Sequence, residues 1–352
     1  MNSKTWMIYG ANGYTGELIA REAARRGGKP VLAGRSPAKI DPLAAELELE
    51  SRIFSLDDAE ATRQGLSGIA LVVHCAGPFS ATAKPMLEAC LACGTHYLDI
   101  TGEIDVFAYA HGLHQRAADA GIVLCPGAGF DVTPTDCLAA ALSEALPDAS
   151  HLALGFDSQS GMSQGTAKTS IEGLAKGGRI REKGNLVVVG LGYESRQIDF
   201  GNGEKCAMTI PWGDVATANY STGIPNIRVF VPASQKLVKR LRMLNSVRFL
   251  LGLGLVQSYL KKKVEKGRRG PSDEQRENQP TYIWGEVTNE AGERRTGRIK
   301  TANGYALTVT AALALVDIVF DGNFPGGYFT PSLLAGKGLV ESLPGSGKIE
   351  IT

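Results

Sequence analysis

Three glycines near the start of the chain have the spacing needed to bind a phosphate group. Gly10, Gly13 and Gly16 follow the apolar run 6–9, and residues 17–26 have helical character. Such a turn lets the backbone approach a pyrophosphate, and the free N–H groups of the first helical turn can bind it. The spacing is G-x-x-G-x-x-G rather than the commoner G-x-G-x-x-G, and glycines also mark ordinary loops. Because the motif directly follows a predicted strand, it favours a dinucleotide site.

The residues after the second predicted strand indicate which dinucleotide binds. An NAD site usually has Asp or Glu there, which accepts a hydrogen bond from the ribose 2′-hydroxyl. This chain has Arg35 and Ser36 instead, followed by Lys39. A guanidinium can bind a 2′-phosphate in a bidentate manner, whereas a carboxylate would repel it. Although most arginines are simply solvated, this position favours NADP(H) as the cofactor.

Acidic side chains at the ends of later strands are candidates for proton transfer. Asp99 and Glu103 follow the fifth predicted strand, and Asp131 follows the sixth. A carboxylate beside a nicotinamide could orient a substrate or relay a proton, and burial there would raise its pKa. Asp99 and Glu103 could equally well only bind backbone N–H groups at loop ends. Lys168 and Tyr305 are further candidate proton donors on residue type alone.

Alternating strands and helices would position these groups. The predicted strands are 6–9, 30–33, 52–55, 70–75, 96–100 and 122–126, with helical segments between them. This alternation indicates a right-handed, doubly wound sheet, and a nearly all-apolar strand is typical of a parallel sheet covered on both faces. The sequence therefore predicts an α/β fold with a doubly wound Rossmann-type parallel sheet, in a cofactor domain of residues 1–131.

The pattern changes after residue 131. Residues 132–301 predict a second, α+β domain with a mostly antiparallel sheet, which would cover the cofactor cleft and form a homodimer. Residues 302–352 are predicted to be a C-terminal helix and tail that pack near the cofactor domain. The glycine-rich segment 161–184 is predicted to be a mobile loop or a surface that approaches a ligand. The polar segment 271–279 is predicted to be a loose, exposed loop.

Residues 234–263 combine leucines at helical spacing with many Lys and Arg, and the basic run continues through Lys266, Arg268 and Arg269. A basic amphipathic helix can lie on an anionic membrane surface. Such a stripe more often packs on its own domain or on a partner subunit, with its charges in solvent. The sequence favours protein contact and leaves peripheral membrane contact open.

Composition limits the classes of function. The chain has 352 residues, is 43% hydrophobic and 21% charged, and has a net charge of +1. These values are ordinary for a soluble protein of about two domains, and they give no electrostatic case for nucleic acid binding. The start of the chain does not resemble a signal peptide, and the apolar run 249–256 is too short to span a bilayer. We expect a cytoplasmic protein.

The six cysteines lie mostly in apolar segments, which predicts reduced, buried thiols. Cys90 and Cys93 form a C-x-x-C motif, and His96 follows. A structural zinc site needs four ligands, and no second ligand pair has suitable spacing. We therefore predict core cysteines and no metal.

Five segments, in this order, resemble the saccharopine dehydrogenase-like oxidoreductases, and within them the branch that includes trans-acting enoyl reductases. They are Tyr-Gly-Ala-Asn-Gly-Tyr-Thr-Gly, Ala-Gly-Arg-Ser, Cys-Ala-Gly-Pro-Phe, His-Tyr-Leu-Asp-Ile-Thr-Gly-Glu and Pro-Gly-Ala-Gly-Phe-Asp-Val-Thr-Pro-Thr-Asp. Residues 163–167 and 327–332 also fit, so the resemblance covers nearly the whole chain. It implies fold and cofactor more specifically than substrate, because the family uses one cofactor domain for different chemistries.

The resemblance also implies cofactor-binding residues. Gly10, Asn12, Gly13, Tyr14, Thr15 and Gly16 would hold the pyrophosphate; Arg35, Ser36 and Lys39 the adenosine phosphate; Ser55, Leu56 and Asp57 the adenine; Ala76, Gly77, Pro78, Phe79 and Thr101 the nicotinamide end.

The activity that the resemblance implies is NADPH-dependent reduction of a C=C bond in an enoyl substrate, small or lipid-like. Hydride would add at the β-carbon, and an acid or water would protonate the α-carbon. Imine reduction or secondary-amine oxidation of the saccharopine type is an alternative, although no obvious arginine cluster marks a pocket for several carboxylates. A non-catalytic NADPH-binding sensor or lipid-surface protein is also an alternative, because no motif marks an unmistakable catalytic acid.

Overall fold

A computed structural model of the protein describes residues 4–265 and 269–352. Within these residues the strands are β1 (Trp6–Tyr9), β2 (Val31–Gly34), β3 (Ser51–Ile53), β4 (Leu71–His74), β5 (His96–Asp99), β6 (Val123–Cys125), β7 (Ala149–Ser158), β8 (Gly178–Glu182), β9 (Asn185–Val189), β10 (Ser195–Asp199), β11 (Glu204–Thr209), β12 (Asn226–Pro232), β13 (Thr281–Asn289), β14 (Arg294–Thr301), β15 (Gly327–Tyr328) and β16 (Glu350–Ile351).

The helices of the same residues are α1 (Tyr14–Arg25), α2 (Pro37–Glu46), α3 (Ala59–Gly65), α4 (Phe79–Cys93), α5 (Ile104–Gly112), α6 (His114–Asp119), α7 (Thr133–Ala145), α8 (Gln164–Lys176), α9 (Asp214–Thr222), α10 (Gln235–Leu244), α11 (Gly254–Glu265), α12 (Asp273–Asn278), α13 (Gly304–Asp321), α14 (Pro331–Ala335) and α15 (Leu339–Ser342). A 3₁₀ helix, Asn245–Gly252, lies between α10 and α11.

The chain forms two compact units. The first unit comprises the residues up to Thr133 together with Leu307–Ala335, and the second comprises Pro134–Ala306 with Gly336–Thr352. The segment 302–352, predicted as one piece, is thus divided between the two units. Each unit has its own sheet.

The sheet of the first unit is parallel throughout its seven described strands, in the order β15-β6-β5-β4-β1-β2-β3. Strands β1, β2 and β4 are completely buried, which explains their nearly continuous apolar sequences. The strand order reverses at β1, because β2 lies on one side of it and β4 on the other. A crevice for a ligand forms at such a reversal, outside the carboxyl ends of the strands.

The second unit has a mixed, mostly antiparallel sheet. Its described strands follow the order β10-β11-β12-β7-β13-β14-β16, and the hairpin β8–β9 joins through β12. Only β7 and β12 run parallel to each other among these pairs. A cluster that includes Phe200, Phe230 and Trp284 forms part of the core beneath this sheet. The predicted fold class, a parallel Rossmann-type sheet with a second α+β domain, is therefore confirmed.

Two segments predicted as loops are helical. Residues 164–176 of the glycine-rich segment form α8, which begins where the Ser163 hydroxyl accepts a hydrogen bond from the Thr166 N–H at 3.2 Å. Helix α12 lies within the polar segment 271–279 and begins with a capping box formed by Ser272 and Gln275. Each glycine in a helix costs only about 1 kcal/mol relative to alanine, so capping and packing can outweigh it.

The predicted amphipathic stretch 234–263 is not one continuous helix, because the 3₁₀ helix interrupts it. Its apolar side chains do not all pack on the body of the protein either. Met243, Phe249 and Leu255 are 69%, 67% and 89% exposed, so they do not pack on the described part of their own chain, and the expected contact with its own domain or a partner subunit stays a prediction that only the partner subunit could meet at these positions. The predicted basic residues Lys266 and Arg268 lie outside the described residues.

Helix α13 lies in the segment predicted to be a C-terminal helix and tail, and it is long and apolar enough to cross a membrane by length and composition alone. About half of it, 56%, is buried inside the protein, as in a core helix. The expectation of buried cysteines is wrong for Cys93, whose side chain is exposed, whereas Cys90, Cys125 and Cys137 are buried.

Candidate cofactor and active site

Gly10 and Gly16 of the first loop leave no room for side chains. Gly10 has a φ of +83°, and a Cβ atom there would lie 2.7 Å from the backbone nitrogen of Ala76. A Cβ atom at Gly16 would collide with the carbonyl oxygen of Gly10. The same oxygen accepts a hydrogen bond from the Gly13 N–H at 2.9 Å, which closes the turn. The loop is therefore a tight backbone cradle between β1, β4 and α1.

The start of α1 suits an anion. Gly13 is its N-cap residue, and within the described part of the chain no side chain caps the helix there. The first N–H groups of any α-helix lack intrahelical partners, and they attract negative charge. The predicted residues Asn12, Tyr14 and Thr15 lie in this turn, and Asn12 also reaches β2, because a Cβ atom at Gly34 would lie 3.2 Å from its Oδ1 atom. The turn thus fits a pyrophosphate.

The positions predicted for the adenosine end follow β2 and β3. Arg35 and Lys39 are exposed, and Ser36 begins α2 without making a side-chain capping bond. A cation and a hydroxyl at the end of β2 suit a 2′-phosphate. After β3, the Ser55 hydroxyl donates to Asp57 Oδ2 at 3.0 Å, so these two side chains bind each other, and Leu56, between them, is partly buried.

The loop after β4 lies beside the phosphate turn in the sheet. Ala76 contacts Gly10, as described above, and its carbonyl accepts a hydrogen bond from the Thr82 hydroxyl at 2.6 Å. Gly77 and Pro78 are exposed and Phe79 is partly buried. The Phe79 ring packs edge-on against the buried His74 ring, with 5.4 Å between the ring centroids. The loop is therefore attached to the core through Phe79, while Gly77 and Pro78 are exposed to solvent.

Asp99 ties the loops after β5 and β6 together. Its Oδ1 atom accepts hydrogen bonds from the N–H groups of Thr101 at 3.0 Å and Gly127 at 2.8 Å. Its Oδ2 atom accepts one from the Tyr97 hydroxyl at 2.6 Å. Burial raises its pKa to about 6, although these hydrogen bonds favour the charged form. Asp99 therefore anchors backbone N–H groups, the alternative that the sequence left open.

Glu103 anchors the start of α4 in a similar way. Its carboxylate accepts hydrogen bonds from Phe79 N–H at 2.9 Å and Ser80 N–H at 2.8 Å. Its own N–H donates to the hydroxyl of Thr101 at 3.0 Å. A carboxylate is well placed there, because a helix N-terminus favours negative charge. Glu103 thus fixes the loop after β4 relative to the loop after β5.

Asp131 lies in the loop between β6 and α7. Burial, with a smaller contribution from the charges of Asp99 and Glu103, raises its pKa to about 7. A Cβ atom at Gly102 would lie 2.8 Å from Asp131 Oδ2, so only glycine fits there. At a pKa near neutrality a carboxyl can both release and accept a proton. Asp131 is therefore a candidate for proton transfer.

Thr308, which the sequence did not point to, holds the loop after β6 from helix α13. The Thr308 hydroxyl accepts a hydrogen bond from the Phe130 N–H at 2.9 Å, and its methyl group would contact a Cβ atom placed at Gly129. Thr308 fixes the backbone beside Asp131 from α13. No local signal could have shown this, since 178 residues separate the two partners.

The two other predicted proton donors belong to the second unit. Lys168 is partly buried on α8, and Tyr305 begins α13. The Tyr305 hydroxyl accepts a hydrogen bond from the Ser163 N–H at 2.5 Å, at the start of α8. Within the described residues, no group of three or more His, Cys, Asp or Glu side chains could hold a metal ion.

The family model that describes the saccharopine dehydrogenase NADP binding domain matches residues 6–125. Those residues belong to that domain family. The match covers the glycine turn and the carboxyl ends of β1 to β5, and it agrees with the fit of these residues to a nicotinamide dinucleotide. The predicted resemblance and the predicted NADP(H) cofactor are confirmed. Which individual residues contact the cofactor stays a prediction.

Curated relatives carry two kinds of name. A trans-acting enoyl reductase of Mycobacterium ulcerans is 33% identical over 141 residues, 37% of this chain and 33% of its own. A saccharopine dehydrogenase-like oxidoreductase of Rattus norvegicus is 28% identical over 150 residues, 37% of this chain and 35% of its own. A Mycobacterium tuberculosis relative, provisionally named a trans-acting enoyl reductase, is 32% identical over 48% of this chain. The match covers 44% of that relative, less than half of its length.

The whole chain has a known fold. The structure of apo saccharopine dehydrogenase (L-Glu forming) from Saccharomyces cerevisiae aligns over 99% of this chain and 100% of its own, with a TM-score of 0.68. The sequences are only 11% identical. The NADP-binding domain and the second unit therefore share that enzyme's fold.

Proposed function

We propose that this protein is an NADPH-dependent reductase that acts on the C=C bond of an enoyl substrate. The observation that carries the proposal is the carboxyl edge of one parallel sheet, which has a backbone cradle that fits a pyrophosphate after β1 and a carboxyl with a pKa of about 7 after β6. The names of the trans-acting enoyl reductases that align with the chain support this reaction over others.

Reduction of an enoyl group needs a hydride at the β-carbon and a proton at the α-carbon. The bound cofactor supplies the hydride. Asp131 would supply the proton, because a pKa of about 7 keeps part of its carboxyl groups protonated at neutral pH. Asp99 and Glu103 are positioning residues, since they hold the backbone of the loops after β4, β5 and β6.

Different residues of the first unit would bind the pyrophosphate and the 2′-phosphate of the cofactor. Gly10, Gly13 and Gly16 let the backbone and the start of α1 reach the pyrophosphate. Arg35 and Ser36 would hold the 2′-phosphate and so select NADPH over NADH.

The test is NADPH consumption by the purified full chain with an enoyl thioester, and separately with a keto acid plus an amine. The proposal expects a saturated thioester product, with deuterium at the α-carbon when the reaction runs in heavy water. Consumption only with the keto acid and amine would assign an imine reductase instead. NADPH binding without turnover on either would indicate a non-catalytic sensor.

A further inference from the structure

Exposed apolar side chains are concentrated in one segment of the second unit, which runs from α10 through the 3₁₀ helix into α11. Nine of the sixteen large apolar side chains that are exposed among the described residues fall within residues 237–259. Leu255 is 89% exposed, and Met243 and Tyr259 are each 69% exposed. Large apolar side chains concentrated this strongly in one surface segment mark a contact site.

The same segment is strongly basic. Residues 236–263 contain eight Lys and Arg and no Asp or Glu, in a chain whose net charge is +1. The rest of the chain is therefore net negative. Lys236, Lys239 and Arg240 on α10, and Lys262 and Lys263 on α11, are exposed, and none of them has a carboxylate partner among the described residues.

Hydrogen bonds and one ion pair hold the inner side of the segment against the rest of the second unit. On α11, Gln257 donates to the carbonyl of Ile171 at 3.1 Å, and Lys261 pairs with Glu172 at 2.6 Å. Both partners lie on α8. The Asn245 side chain bonds both the N–H and the carbonyl of Leu191, which holds the 3₁₀ helix in place.

The outer side of α11 combines apolar and cationic groups. Leu255, Tyr259 and Lys262 follow each other at i, i+4 and i+7, and at 100° per residue they lie roughly opposite Gln257 and Lys261. Leucine prefers the acyl boundary of a bilayer, tyrosine prefers the interface, and lysine can extend its charge to the headgroups.

We propose that the outer face of residues 236–263 binds an anionic lipid bilayer. Charge complementarity selects this occupant, because anionic lipids attract the five exposed cations that have no carboxylate partner, while the apolar side chains enter the headgroup region. A symmetric contact with a second copy would instead place one set of positive charges against another.

Co-sedimentation of the full chain with vesicles tests the proposal. Phosphatidylcholine vesicles containing phosphatidylserine should bind the protein, pure phosphatidylcholine vesicles should bind it much less, and added salt should release it. K262E/K263E should weaken binding at least about tenfold. The control K29E/K348E makes the same charge change at two exposed lysines outside the face and should bind like the wild type.

A second pair of variants separates apolar insertion from simple charge attraction. F249S/L255S should weaken vesicle binding, whereas L333S/I351S, at exposed apolar positions elsewhere, should not. Light scattering without lipid measures whether the protein is a dimer, which is the competing explanation for this face. A dimer that F249S/L255S dissociates, together with no binding to anionic vesicles, would overturn the proposal and assign the face to a second copy. Equal binding to both kinds of vesicle, or none, would also overturn it.

Discussion

At the scale of single residues, Arg35 should decide which cofactor binds. Its exposed guanidinium follows β2, where an NAD-binding protein has a carboxylate. NADPH should therefore bind at least tenfold more tightly than NADH, a difference of about 1.4 kcal/mol. Arg35→Ala should remove most of this preference and leave NADH binding nearly unchanged, whereas Arg63→Ala, an exposed arginine on α3, should change neither. Titration calorimetry measures both affinities, and equal wild-type values would refute the assignment.

Asp131 should make the reductase activity depend on pH. With a pKa of about 7, its protonated form, which donates the proton, disappears as the pH rises above 7. The rate should then fall about tenfold for each further pH unit. Asp131→Asn should lower kcat by about 10²- to 10⁴-fold and flatten this profile, while the Kd for NADPH stays close to that of the wild type.

Stability gives a second measurement for the same carboxyl. A raised pKa in the folded state means that its contribution to stability is complete at low pH and is lost as the pH rises toward 7. The Tm of Asp131→Asn should therefore fall less than that of the wild type between pH 4 and pH 8. Wild-type activity that is flat from pH 6 to pH 9, together with a Tm difference between the wild type and Asp131→Asn that is constant from pH 4 to pH 7, would show that Asp131 does not titrate as expected.

At the scale of elements, substitutions in the glycine turn between β1 and α1 should affect NADPH binding and stability separately. A Cβ atom at Gly13 would lie 3.2 Å from the Gly10 carbonyl oxygen, a tight contact that small shifts can relieve, whereas one at Gly16 would collide with that oxygen. Gly13→Val should abolish NADPH binding and change Tm by only a few degrees. Gly16→Val should lower Tm strongly. Normal NADPH binding by Gly13→Val would mean that this turn does not hold the pyrophosphate.

The elements of the NADP-binding domain were predictable because each is encoded locally. The short apolar runs of β1, β4 and β5 are visible in the sequence itself, and their predicted limits differ from the observed ones by at most one residue. Strand β15 was missed because Gly327–Tyr328 is too short to show a pattern. It becomes a strand only by pairing with β6, about 200 residues earlier in the chain.

In the candidate site, too, the sequence predicts features that depend on neighbouring residues but not those that depend on residues far along the chain. The sequence predicted the loops and their carboxylates, since each follows its own strand. It could not tell Asp99 and Glu103 from Asp131, because the distinction depends on partners from other loops, such as Gly127 and Phe79. A dimer and a cytoplasmic location stay predictions.

At the scale of the whole molecule, the NADP-binding domain is completed by the far end of the chain. Leu307–Ala335 belongs to the first unit, where β15 extends the sheet beside β6 and Thr308 holds the loop of Asp131. A chain that ends at residue 306 should therefore lose NADPH binding, because β6 becomes an open edge and the Phe130 N–H loses its acceptor. A chain that ends at residue 335 lacks only a segment of the second unit and should bind NADPH within about twofold of the full chain. Fluorescence titration with NADPH and circular dichroism distinguish lost binding from lost folding. If the chain that ends at 306 bound NADPH as tightly as the one that ends at 335, the C-terminal segment would not be part of the working cofactor domain.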